Sequence, residues 1–179
     1  METAVASVTD LGVQDGEFDV ALCQQGMPFF PDRPAAAREI HRVLCPGGVF
    51  AIAVWTPGHD ILPFGVMNAA LHDLGAPEPF PHAYDESSYV LTPEQVADLL
   101  ADAGFHDVDS REVELLTHWP DPDAMYRGVG GTPFGAHLET LDDAQQARAR
   151  ELMAERTARF VVDGRLAIPT YSVIARAVA

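Results

Sequence analysis

The sequence predicts an α/β fold in which buried strands alternate with amphipathic helices. Three observations carry this. Phe18–Gln24 is a short, nearly continuous apolar run after the turn residues Asp15-Gly16, the pattern of a central strand buried on both faces of a sheet. Ala36, Ile40, Val43 and Leu44 then fall at helical spacing after Pro31-Asp32, with Arg38, Glu39 and Arg42 on other faces, and Pro46-Gly47-Gly48 stops the helix. Val49–Trp55 is a second buried run. Strand, helix and strand form one crossover unit of the kind that builds parallel sheets.

The remaining elements follow the same grammar. Ile61–Leu74 is an apolar, helix-like stretch leading into the proline-rich segment Ala76–Ala83, and together they suggest a lid or insertion at about 57–91. Thr92-Pro93-Glu94-Gln95 supplies an N-cap hydroxyl, proline at the first helical position and a capping-box glutamine. Val96, Leu99, Leu100 and Ala103 give that helix its buried stripe, and Gly104 ends it. Val108–Leu116 reads as a strand, Asp121–Val129 as a short helix, Asp142–Val161 as a longer one stopped by Asp163-Gly164, and Leu166–Val178 as the closing strand. Gly128-Val129-Gly130-Gly131 follows a helix rather than a strand, so it is read as a hinge and not as a phosphate-binding loop. Without repeats or low-complexity tracts, residues 1–179 are expected to form a single domain.

Composition narrows the partners. Asp and Glu outnumber Lys and Arg by 27 to 11, and a formal charge of −16 repels nucleic-acid phosphates and anionic membrane surfaces. Met1-Glu2-Thr3-Ala4 has no basic leader region, and Val49–Trp55 is too short to cross a bilayer, so a soluble, cytoplasmic location is expected. Cys23 and Cys45 sit in apolar surroundings without metal-ligand spacing, and the seven histidines are scattered singly. Reduced thiols and no metal site are expected.

Asp15-Gly16-Glu17-Phe18-Asp19-Val20, then Cys23-Gln24-Gln25-Gly26-Met27, Phe29-Phe30-Pro31-Asp32 and Arg42-Val43-Leu44-Cys45-Pro46-Gly47-Gly48, stand in order with short gaps. This string resembles the middle of the class I S-adenosylmethionine-dependent methyltransferases, in particular the ubiquinone and menaquinone methyltransferase-like group. Ala103-Gly104-Phe105 with Val108, and Tyr171–Ala177, are similar to later parts of that family. The resemblance implies a truncated Rossmann-like methyltransferase fold: a mostly parallel sheet, an antiparallel C-terminal strand and helices on both faces.

Strand ends in open α/β sheets face the crevice where ligands sit. Gln24, Gln25 and Gly26 are therefore candidate pocket residues, and the resemblance implies that they meet the amino-acid end of S-adenosylmethionine. The plainer reading of the two amides is that they satisfy loop backbone. Counting back to the family's adenine-side carboxylate reaches Ser7, beside Val8, with Asp10 an alternative if the loop is shortened. The family's Gly-rich loop and ribose-binding acid would lie before Met1. Candidates for the acceptor pocket are Met27, Trp55, His59 and Tyr84, with Phe64, Trp119 and Tyr126 as further aromatics that also suit a core. A sulfonium donor needs positioning more than acid or base help, so no triad is expected; His59 or His82 are candidate bases, or solvated loop histidines.

The resemblance also implies that strand 18–24 lacks its usual outer neighbour and forms an exposed apolar edge. Glu2–Val8, a second copy of the chain in a homodimer, or a separate partner would then cover it. Three functions fit these readings: a small-molecule methyltransferase incomplete as one chain, a non-catalytic oligomerising remnant, or an enzyme of the same fold with cofactor-independent chemistry such as cyclisation.

Overall fold

The computed structural model describes residues 3–56, 63–76, 90–132 and 134–179, with backbone alone at 63, 64 and 134. In chain order the elements are β1 (Phe18–Gln24), α1 (Arg33–Val43), β2 (Leu44–Trp55), α2 (Pro63–Asp73), α3 (Pro93–Asp102), β3 (His106–Trp119), α4 (Pro122–Gly130), α5 (Phe134–Leu138), α6 (Asp143–Thr157), β4 (Val161–Val162) and β5 (Arg165–Val178). The sheet runs β1-β2-β5-β3, with β4 paired to β5. β1 and β2 are parallel, whereas β5 lies antiparallel to β2, as expected for the C-terminal strand.

Helix starts are fixed by side chains that satisfy otherwise unpaired first-turn N–H groups. Asp32 accepts from Ala35 N–H at 2.8 Å, Asp121 from Ala124 N–H at 2.6 Å, and Asp142 from Gln145 N–H at 2.8 Å. The capping box at α3 forms as the sequence predicts. Thr92 Oγ1 accepts from Gln95 N–H at 3.2 Å, while Gln95 Oε1 accepts from Thr92 N–H at 2.8 Å.

Two turn signals resolve differently from their sequence reading. The long helix stops at Thr157, and Val161-Val162 pairs with Arg165-Leu166 as a hairpin. Asp163 and Gly164 both have positive φ, 51° and 75°, the conformation that a two-residue hairpin turn requires, so Asp163-Gly164 joins two strands instead of ending a helix. Gly128 is not a hinge either. It lies inside α4, where an added Cβ would come within 2.3 Å of the Trp119 ring, so close packing of helix on indole excludes a side chain.

The chain packs as two compact units. Unit 1 comprises Met1–Pro57, Glu86–Val113 and Tyr171–Ala179. Its core is set by alternation along β2: Phe50, Ile52 and Val54 point to one face and join Val173, Ala175 and Ala177 of β5, beneath Ile40 of α1 and Val96 and Leu100 of α3. Phe105 stacks obliquely on Phe50, ring centroids 5.6 Å apart. At the start of β2, a Cβ on Gly48 would approach Cys45 O to 2.8 Å and Asp19 O to 3.2 Å, so the close entry of the strand depends on that glycine.

Unit 2 comprises Gly58–Asp85 and Glu114–Thr170. Met67 and Leu71 of α2, Met125 and Val129 of α4, Met153 of α6 and Leu166 and Ile168 of β5 form its core, and Arg156 pairs with Asp73 at 2.5 Å. Helix α2 realises the apolar stretch read from 61 to 74. The rest of the expected lid, 57–62 and 77–89, lies outside the described residues. No helix among the described residues is long and apolar enough to cross a membrane.

A charged clamp holds the approach to β1. Arg42 donates to Glu39 at 2.7 and 2.8 Å, to Val13 O at 3.0 Å and to Asp15 Oδ1 at 2.5 Å, while Glu39 Oε1 accepts from Leu11 N–H at 2.8 Å. The Arg42 hydrogen bonds, followed by the Leu11 amide, pull the Glu39 carboxyl from its ordinary 4.5 down to about 2. Since the folded value is the lower, this clamp stabilises the fold fully above pH 4.5 and is lost as pH falls toward 2. Urea midpoints measured between those limits should fall in the wild type and stay flatter in Glu39→Gln, which is less stable at neutral pH. Phe50→Ala should destabilise unit 1 by about 3–5 kcal/mol, whereas Leu22→Ala, at a position 79% exposed, should stay within about 0.5 kcal/mol on chemical denaturation.

Candidate functional site

Among the described residues β1 stands at the edge of the sheet, where the resemblance places it, and not at the centre, where its apolar run alone would. Its pattern of exposure explains the difference: Ala21 and Cys23 pack on the unit 1 core, whereas Phe18, Val20 and Leu22 are 42, 55 and 79% exposed. An apolar run marks a strand suited to burial on both faces; it does not record whether a neighbour is there.

The parallel register sets the site. Gln24 stands opposite Ala53, and the next residue, Gln25, turns away from the strand while donating its backbone N–H to Ala53 O at 2.8 Å. Gln25 has φ of 54°, a left-handed conformation that is uncommon outside glycine, Asn and Asp and that marks a locally constrained turn. Its amide donates from Nε2 to Ser172 Oγ at 3.2 Å, across β2. Oε1 is buried without a hydrogen-bond partner, which makes it an acceptor aimed at a donor that the described residues do not supply. Gly26 has an ordinary φ of −90°; a Cβ there would stand 3.1 Å from Cys23 Sγ, so its role is close packing at the turn.

The same strand ends gather Trp55 and Phe29. Trp55, opposite Ser172 on β5, meets the ring of Phe29 edge-on at 6.3 Å, and Phe29 is half exposed. Met27, expected in the acceptor pocket, has no exposed surface and belongs to the unit 1 core. Beside the strand ends, an open groove of about 540 Å³ runs over the sheet, with Leu22, Gln24, Ala51, Ala53 and Ile174 on its apolar and amide floor and Asp109, Arg111 and Arg176 at its charged side.

The remaining expected residues divide plainly. Ser7 is exposed, and its hydroxyl is occupied locally, 2.9 Å from Thr9 Oγ1 and accepting from Thr9 N–H at 3.3 Å; Asp10 N–H closes the turn on Ser7 O at 3.0 Å. Val8 packs against the unit 1 core. Trp119 and Tyr126 are core aromatics of unit 2, each with a buried donor, Nε1 and the hydroxyl, lacking a partner among the described residues. His59, His82 and Tyr84 lie outside the described residues, as does the side chain of Phe64. Ser172, Arg111 and Arg176 carry no site signal in the sequence, and Phe29 enters it only as part of the Phe29-Phe30-Pro31-Asp32 string. Ser172 carried no signal beyond membership of a strand, because its partner is 147 positions away.

Cys45 is a poor nucleophile: burial, then its hydrogen bond to Asp19 at 3.5 Å, raises its thiol pKa.

Residues 1–52 match the family model described as a methyltransferase domain. Trans-aconitate 2-methyltransferase of Deinococcus radiodurans is 28% identical over 143 residues, which cover 78% of this chain and 55% of that protein. Malonyl-[acyl-carrier protein] O-methyltransferase of Geobacter sulfurreducens is 29% identical over 126 residues, 70% of this chain and 45% of that protein. The chain thus spans about half the length of these curated relatives. Phosphoethanolamine N-methyltransferase 2 of Haemonchus contortus, solved with phosphomonomethylethanolamine and S-adenosylhomocysteine, superposes on 97% of this chain and 36% of its own, with a TM-score of 0.52 at 14% identity. That likeness bears on fold alone.

The architecture is an α/β, Rossmann-like methyltransferase fold. In sequence and fold, the chain resembles the class I S-adenosylmethionine-dependent methyltransferase family.

If the Gln25 turn is a constrained site rather than a tuned core element, removing its side chain has a small structural cost. Gln25→Gly should change stability by no more than about 1 kcal/mol, since relief of the positive φ offsets loss of the Ser172 bond. Thermal unfolding beside Ser172→Ala checks this.

Proposed function

We propose that this chain is part of a methyltransferase that transfers the methyl group of S-adenosylmethionine to a small molecule. The strand end Gln24-Gln25-Gly26 takes the amino-acid end of the cofactor. One observation carries the assignment: the buried, unpartnered Oε1 of Gln25, held at a constrained turn beside the strand ends. An ammonium N–H is the donor such an acceptor fits, and Gln24, exposed at the same end, adds a second amide.

The cofactor supplies an activated methyl group on sulfur. The chain's own residues then have to orient donor and acceptor and exclude water. Gln25 fixes one end of the donor, and the pair Trp55–Phe29 offers an apolar wall for the acceptor. The exposed Ser7 hydroxyl, bonded within its own turn to Thr9, keeps a further lone pair for the adenine side. The remaining ribose and adenine contacts would come from a further segment or subunit, and in this reading the chain is competent when that part is present.

Calorimetric titration with S-adenosylmethionine and S-adenosylhomocysteine tests this, on the chain alone and mixed with the unmatched portion of the Deinococcus radiodurans relative. Binding in the micromolar range, about −8 kcal/mol, is expected in the mixture. Gln25→Ala should weaken it about tenfold, or about 1.4 kcal/mol. Absence of binding in both preparations removes the cofactor from this reading.

A further inference from the structure

Two leucines of unit 2 stand outside its core. Leu115 and Leu116 of β3 are 61 and 55% exposed, while Leu166 and Ile168 of the neighbouring β5 have no exposed surface. Successive residues of a strand face opposite sides of the sheet, so the two leucines leave apolar surface on both faces at one point of the chain. A partner lying against one face covers only one of them. A strand added at the edge gives each a cross-strand neighbour on its own face.

The edge is open at that point. β3 ends the sheet order and pairs only with β5 among the described residues. The Leu115 carbonyl accepts from Thr170 Oγ1 of β5 at 3.1 Å, so Leu115 turns its backbone groups toward β5. These directions alternate along a strand, and Glu114, Leu116 and His118 therefore turn theirs outward. Charged residues, the usual guard of an exposed edge, occupy β3 as far as Glu114 and stop there; Leu115-Leu116-Thr117 has none.

We infer that a second copy of the chain pairs antiparallel with this edge, with Leu116 of both copies on the twofold axis and Glu114 of each opposite the partner's His118. Register selects this arrangement. A twofold axis normal to the sheet keeps each side chain on its own face, so facing residues are an even number of positions apart in sequence. With Leu116 on the axis, leucine meets leucine, Leu115 meets Thr117, and each Glu114 carboxylate meets a ring N–H of His118. With Glu114 on the axis, carboxylate would oppose carboxylate; with Leu115 there, Glu114 would face Leu116. Glu114 and His118 are exposed and form no ion pair or side-chain hydrogen bond among the described residues, so both are available. The formal charge of −16 does not forbid the contact, because exposed charges more than about 8 Å apart are largely screened at physiological ionic strength. An unrelated peptide is the weaker occupant, since the edge complements itself. The inference does not depend on the methyltransferase reading.

Size exclusion with light scattering, run on the purified chain over a concentration series, tests this. A concentration-dependent dimer is expected, with amide exchange at Glu114, Leu116 and His118 slower at high concentration than at low, and exchange at residues 19–24 unchanged. Leu116→Lys should abolish the dimer by setting ammonium against ammonium on the axis. His118→Glu should weaken it about tenfold or more, and adding Glu114→Lys to that variant should restore it, because the two charges have then exchanged places. The altered side chains are all exposed, and circular dichroism confirms that the variants fold. A chain that stays monomeric up to about 1 mM overturns the inference. So does a dimer protected at residues 19–24 instead, a dimer that His118→Glu leaves unchanged, or a charge-exchanged variant that stays as weak as His118→Glu alone.

Discussion

Unit 1 depends on the two-residue period of β2. Phe50, Ile52 and Val54 are almost wholly buried and join residues of β5, α1 and α3 in the core of that unit. The same alternation commits Ala51, Ala53 and Trp55 to the opposite face. A slip of one residue would exchange the two sets, putting small alanines into a core shaped for Phe50. The register of β1 on β2 is therefore fixed by packing, and through Gln24 opposite Ala53 it fixes the position of Gln25. The site follows from the core in this direct sense.

Local chemistry was the legible part of the sequence. The capping box at Thr92 and the apolar runs at 18–24 and 49–55 each depend on residues a few positions apart, and those elements stand where the signals put them. The helix before Pro46-Gly47-Gly48 ends sooner, at Val43, and Leu44 and the Pro-Gly-Gly turn already belong to β2. The errors came where a local signal had two outcomes. Asp163-Gly164 serves a helix end or a hairpin, and the β-branched pair Val161-Val162 decided for the hairpin. Gly128 suits a hinge or a tight contact, and only the position of Trp119 distinguishes them.

The site was less legible because its geometry is non-local. That Gln24 and Gln25 end a strand follows from sequence; that Gln25 reaches Ser172 depends on β5 lying beside β2, and the far end of the chain says nothing of this by itself. Arg111 and Arg176 come to one groove for the same reason. Proximity in sequence to a strand end does not give side-chain direction: the short turn at Met27–Phe29 sends Met27 into the core and leaves Phe29 exposed beside Trp55.

An unsatisfied buried acceptor and an unpaired sheet edge are costs of the same kind, since each leaves hydrogen-bonding groups without partners. In unit 1 the two lie on different sides of β1: the side chain of Gln25 crosses β2 to reach Ser172 on β5, whereas the unpaired groups of β1 face away from β2. The two costs are therefore separate. The direction of the Oε1 acceptor is set by the left-handed turn at Gln25 and by the Ser172 bond, both of which follow from the register of β1 on β2 and of β2 on β5.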